Sequence, residues 1–128
     1  MSKENTPSAK EFIKKKKDEL PKIITPKDIG RKTCLRFEIQ ARTFLSQNNL
    51  PEKLFFIERL KKLKVEKEKL AYPHAWQEGD IEYRIGYYII GQIGKRKGKW
   101  TFGQFCPIIP QKDLFKLINQ AKKEKTIL

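Results

Sequence analysis

The stretch covering residues 81–106 constrains the fold more than any other part of this sequence. Residues 81–93 place Ile and Tyr at alternating positions, which is typical of a β-strand with two different faces. Residues 94–99, GKRKGK, then combine two glycines with four cations, and aromatic residues alternate again directly afterwards. We therefore expect a long antiparallel β-hairpin over this stretch, and residues 72–82 could add a third strand.

The register of this hairpin decides which side chains face the core. With residues 95–98 as the loop, Ile93 lies opposite Trp100. This register assigns Trp100 and Cys106 to the face that packs against the helices. The opposite face then mixes cationic and aromatic side chains, namely Arg84, Tyr88 and Phe105. This face either binds a ligand or is covered by a second layer of helices, and the sequence favours neither alternative for Tyr88 and Phe105.

Residues 33–48 fit two patterns. Apolar and polar side chains alternate from Leu35 to Ala41 as in a strand, but apolar residues also recur at helical spacing from Cys34 to Leu45. The segment is long and contains no internal Gly or Pro, so we favour a helix. Residues 51–70 open with Pro and carry a helical apolar stripe among many lysines, which together predict an antiparallel helical pair.

Start and stop signals define the amino end of the chain. Residues 8–11, S-A-K-E, match a capping box, and the helix that they open should end at Pro21. Residues 25–30 predict one further helical turn. We treat residues 1–24 as a basic N-terminal arm or helix and residues 25–128 as a single α+β domain.

A last helix should begin near Gln111, after Pro110, and bury Leu117 and Ala121. The predicted fold is therefore α+β. It has a helical N-terminal half, a long antiparallel hairpin at about 81–106 and a C-terminal helix.

The charge of the chain indicates its kind of partner. Lys and Arg number 29 against 15 Asp and Glu, so the formal net charge is +14, which implies a polyanion. No apolar run approaches the roughly 20 residues that span a bilayer, so we expect no membrane association. The two cysteines, Cys34 and Cys106, lack C-x-x-C spacing and are expected to be buried and reduced, in a cytoplasmic protein.

Cations beside exposed aromatic rings favour single-stranded nucleic-acid binding, because phosphates bind the cations and bases stack on the rings. We predict a non-catalytic protein that binds DNA or RNA, without cofactor or metal. The alternative is a small interaction or inhibitor protein, or an accessory subunit, that docks on a larger nucleic-acid-associated protein complex. A third hypothesis is a metal-dependent nuclease using Asp80 and Glu82. The predicted nucleic-acid-binding residues are Arg84, Tyr88, Lys95, Arg96, Lys97, Lys99, Phe105, Lys61 and Lys62.

Overall fold

The computed structural model describes residues 6–26 and 35–128, which form a five-stranded antiparallel sheet curled into a half-barrel, with two α-helices. The strands lie in the sheet in the same order as in the chain. Short 3₁₀ turns cover Lys67–Lys69, Pro73–Ala75 and Gly94–Arg96. The main elements are α1 (Ala9–Asp18), β1 (Lys22–Ile24), β2 (Phe37–Gln47), β3 (Leu50–Lys62), β4 (Ile81–Ile90), β5 (Trp100–Phe102) and α2 (Gln111–Lys123).

The predicted helical N-terminal half is wrong. Residues 33–48 and 51–70 contain β2 and β3, which pair along almost their whole length from Phe37 opposite Lys62 to Gln47 opposite Leu50. The physical reason lies in the centre of β3, where residues 54–57 read Leu-Phe-Phe-Ile and are all buried. A helix buries one stripe and would expose part of such a run, whereas a strand covered on both faces buries all of it.

The predicted hairpin forms between β4 and β5, but its register is wrong by three residues. Trp100 lies opposite Ile90 rather than Ile93, because residues 91–99 make a wider loop that contains a 3₁₀ turn. A shift by an odd number of residues exchanges the two faces of a strand. The third strand that residues 72–82 could have added does not form as a separate element, since Pro73–Ala75 is a 3₁₀ turn and Ile81 already begins β4.

The predictions for the two α-helices are confirmed. Ser8 Oγ accepts a hydrogen bond from the backbone N–H of Glu11, and the Glu11 carboxylate accepts one from the N–H of Ser8, each at 3.1 Å. The second helix begins at Gln111. The helical turn predicted at residues 25–30 falls mostly outside the described residues, and the boundary between arm and domain stays a prediction.

Each α-helix covers one face of the sheet, and we name the faces accordingly. On the α1 face, Phe12 packs against side chains of β2, β3 and β4. On the α2 face, Leu117 and Ala121 pack against Phe55 and Ile57. A further cluster at the other end of the sheet contains Phe37, Ile39, Leu60, Leu70 and Trp76.

The two helices approach each other beside β2. Lys17 of α1 lies 3.2 Å from the carboxylate of Glu124, which directly follows α2, and the Thr43 hydroxyl donates to the same carboxylate at 2.9 Å. Burial raises the pKa of Glu124, but hydrogen bonds from Gln120 and Thr43 outweigh it and leave the pKa below its usual value of 4.5. The Gln120 side-chain amide of α2 also donates to the Phe44 carbonyl of β2 at 3.4 Å, so α2 covers part of β2 where β1 does not pair with it.

Candidate nucleic-acid interface

The loop between β4 and β5 carries four predicted phosphate-binding residues together. Their side chains are all exposed, and within the described part of the chain none of them takes part in an ion pair. From Tyr83 to Lys112 the sequence contains no Asp or Glu, so the nearest part of the chain supplies no compensating charge. We call this group the cationic tip: Lys95, Arg96, Lys97 and Lys99.

Backbone hydrogen bonds hold the tip in one shape. Gly91 N–H donates to the Lys99 carbonyl at 3.0 Å, and Gly98 N–H donates to the Gly91 carbonyl at 2.9 Å. Gly94 and Gly98 have φ values of 65° and 74°, a left-handed conformation that glycine adopts without steric cost. Since the loop closes on itself through its backbone, its cationic side chains point outward.

The start of α1 lies against the tip. Thr6 Oγ1 donates to the Gly98 carbonyl at 2.7 Å, and the Trp100 indole N–H donates to the Pro7 carbonyl at 2.9 Å. The first turn of α1 therefore places the exposed Lys10 at the same end of the molecule as the tip. The sequence alone does not identify Lys10 as part of this site, because its proximity to the tip depends on hydrogen bonds between residues about ninety positions apart.

Tyr88, predicted as a nucleic-acid-binding residue, does not lie on an exposed surface. It is 7% exposed and packs on the α1 face, where its ring centroid lies 4.9 Å from that of Phe12 and 5.4 Å from that of Phe56. Burial and the nearby carboxylate of Glu58 raise the pKa of Tyr88, so its hydroxyl stays neutral. A base could stack on this ring only if the core opened.

Lys61 and Lys62 lie far from the tip. Lys61 pairs with Ile81 at the start of β4, whereas the tip follows the end of β4, about 30 Å along the strand. Lys62 is buried, with its ammonium 3.2 Å from Glu82 and 3.0 Å from the carbonyl of Ala75. Neither lysine joins the tip in one surface.

Arg84 forms a partly exposed pair with Phe102 on the α1 face. The centre of its guanidinium lies 5.4 Å from the ring centroid of Phe102, a cation–π distance. Phe105, three residues further along the chain, is 79% exposed. Phe102 was not among the predicted site residues, because the predicted register placed its ring against the core.

A buried ionic network fixes the position of Arg84. Glu58 is 1% exposed and accepts hydrogen bonds at 2.7 Å from both Arg84 and Arg42. Although burial works against a charged guanidinium, the hydrogen bond and charge of Glu58 raise the pKa of Arg42 above its usual value. Arg42 also binds Glu19 at 3.0 Å, so Glu58 with its two arginines is anchored to the end of α1.

The acidic residues near the hairpin do not form a cluster. Glu82 pairs with Lys62, and within residues 6–26 and 35–128 no three His, Cys, Asp or Glu side chains lie close enough together to hold a metal ion. Cys106, expected in the core, is exposed and free, because β5 ends at Phe102 and Cys106 lies in the following loop. Cys34 lies outside the described residues.

No protein-family model, curated protein or solved structure matches this chain. Of the helices in the described residues, neither is long and apolar enough to cross a membrane.

Proposed function

We propose that this chain is a non-catalytic nucleic-acid-binding protein whose cationic tip binds phosphates. The observation that supports this most strongly is the concentration of four exposed cations, without ion-pair partners among the described residues, in an acid-free stretch of sequence. Exposed cations that are not already paired can exchange their counterions for phosphates, and this exchange drives most nucleic-acid association. A cytoplasmic location is part of the proposal, and the exposed free thiol of Cys106 suits a reducing compartment.

The proposed ligand is single-stranded. Phe102 lies three residues after Lys99, about 10 Å along the chain, and its ring, 43% exposed, lies 5.4 Å from the guanidinium of Arg84. Aromatic rings and guanidinium planes are the groups on which unpaired bases stack, each stacked base being worth about 1–3 kcal/mol. Phosphates on the tip and bases on Phe102 or Phe105 make one continuous path for a strand.

The test is a fluorescence anisotropy titration with labelled single- and double-stranded DNA and RNA, at about 50 and 200 mM salt. Replacing Lys95, Arg96, Lys97 and Lys99 with Gln should weaken binding to all sequences and lower the salt slope by about one unit for each phosphate that the variant no longer neutralises. Phe102→Ala should weaken single-stranded binding more than double-stranded binding.

A matched control removes four positive charges elsewhere. Lys64, Lys67, Lys122 and Lys123 are exposed, and their replacement with Gln gives the same net charge as the tip variant. If both variants lose affinity equally, net charge and not the tip determines binding, and the proposal fails.

The interaction-protein alternative remains a second candidate because large apolar side chains are exposed outside the sheet. Ile93, Ile108 and Phe115 are each more than half exposed, and a partner that covered them would remove apolar surface from water, which is favourable. The same titration separates the two functions. A wild-type chain that binds none of the four oligonucleotides at about 50 mM salt would favour docking on another protein.

A further inference from the structure

Among the described residues, no strand pairs with the outer side of the first half of β4, which we therefore treat as an open sheet edge. The hydrogen bonds from Gly91 N–H to Lys99 and from Gly103 N–H to the Tyr87 carbonyl show that odd-numbered residues of β4 direct their backbone groups toward β5. However, β5 pairs only with Tyr88–Ile90. The N–H and C=O groups at positions 81, 83 and 85 therefore point away from β3, on a side where the described residues supply no strand.

The opposite edge of the sheet, formed by β1, is protected against pairing with another strand. β1 is only three residues long and lies between Pro21 and Pro26, which cannot donate backbone hydrogen bonds. Residues 81–86, I-E-Y-R-I-G, contain neither Pro nor Lys. Above this edge, on the α2 face, Tyr83 and Ile85 are 41% and 43% exposed. Such an edge pairs readily with another strand.

We propose that a second copy of this chain pairs with this edge, with β4 antiparallel to β4 about a two-fold axis at Tyr83. Glu82, whose side chain is 54% exposed beside Lys62, then lies directly opposite Arg84 of the second copy, twice by symmetry, and Ile81 lies opposite Ile85. Arg84 keeps its bond to Glu58 and is 30% exposed. Opposite charges and apolar side chains in facing positions stabilise antiparallel pairs. About six backbone hydrogen bonds would join the two copies, since each of three facing pairs contributes two.

The charges select this register over its neighbours. An axis at residue 82 would place Glu82 opposite Glu82, and an axis at residue 84 would place Arg84 opposite Arg84. Like charges in facing positions destabilise a pair. Only the axis at Tyr83 makes the segment electrostatically complementary to itself.

The proposed pairing joins the two sheets into one and does not use the cationic tip, although Arg84 belongs both to the facing pair and to the surface proposed for base stacking. Residues that face each other across antiparallel strands place their side chains on the same face. The α1 face of one copy therefore continues into that of the other. The two cationic tips lie at opposite ends of the joined strands, because β4 leads into the tip in each copy.

The first test is sedimentation equilibrium of the full chain from micromolar to millimolar concentration, at about 0.15 M salt so that long-range repulsion is screened. Wild type should show a reversible monomer–dimer equilibrium. Ile85→Lys places one lysine from each copy at the paired edge, and should weaken association by about tenfold or more. The control Ile108→Lys makes the same chemical change at a residue 83% exposed outside the sheet, and should associate like wild type. Circular dichroism should show that both variants keep the fold.

The second test reads the register directly by disulfide cross-linking, in a background with Cys34→Ser and Cys106→Ser. Tyr83→Cys should form an interchain disulfide, since facing hydrogen-bonded residues have Cα atoms about 5.5 Å apart. Ile85→Cys should not, because the two Ile85 positions lie about 14 Å apart along the strands. A wild-type chain that is monomeric throughout, an Ile85→Lys variant that dimerises like wild type, or equal cross-linking by both cysteines would overturn the proposal.

Discussion

Replacing Tyr88 with Ala should destabilise the protein strongly, although the sequence suggested an exposed stacking residue. The ring is 7% exposed and makes edge-to-face contacts with Phe12 and Phe102, at centroid distances of 4.9 and 5.5 Å. In addition, the ammonium of Lys16 lies 5.2 Å from the centroid of the Tyr88 ring. Truncating a buried aromatic side chain removes its burial and leaves a cavity, which together cost about 3–5 kcal/mol.

Urea unfolding followed by circular dichroism measures this loss. With an m-value of about 2 kcal/mol/M, the midpoint should fall by about 1.5–2.5 M. Phe105→Ala is the matched control, because the sequence placed both aromatics on one face whereas the structure leaves Phe105 79% exposed. That variant should change the free energy of unfolding by no more than about 0.5 kcal/mol. Equal unfolding midpoints for the two variants would refute the packing described for β4.

Two further predictions concern charged groups. Glu58→Ala leaves the buried Arg42 without its main carboxylate, and should lower the free energy of unfolding in urea by about 3–5 kcal/mol. The control Asp18→Ala breaks an exposed pair with Lys14, and should lower it by less than about 1 kcal/mol. Because hydrogen bonds hold the pKa of Glu124 below 4.5, its contribution to stability is complete above that pH and is lost as the pH falls through the lower folded-state value. Unfolding midpoints between pH 7 and pH 3 should therefore decline less steeply for Glu124→Gln than for wild type, and parallel curves would contradict this.

The sequence by itself determined the features that depend on a few neighbouring residues. The capping box at Ser8 and Glu11 begins α1 because both hydrogen bonds form within one helical turn. The alternation of Ile and Tyr from residue 81 onward predicted β4 correctly. The exposure of the tip cations also followed from the sequence, since a glycine-rich run of charges has no favourable place in a core.

Only the tertiary structure decided what depends on distant neighbours. The pattern of residues 33–48 suits a helix or a strand, and α1 and α2 resolve it because they cover both faces of β2 and β3 and so bury a continuous apolar run. The width of the loop at residues 91–99 set the register of β5, which places Phe102 opposite Tyr88 on the α1 face. Phe12 of α1 packs on Tyr88 and buries it, whereas Phe102 stays 43% exposed. Lys62 reads as a free cation in the sequence but is bound by Glu82, since strand pairing places positions twenty residues apart side by side. Local sequence sets which backbone conformations are favourable, but burial and charge pairing are properties of the assembled chain.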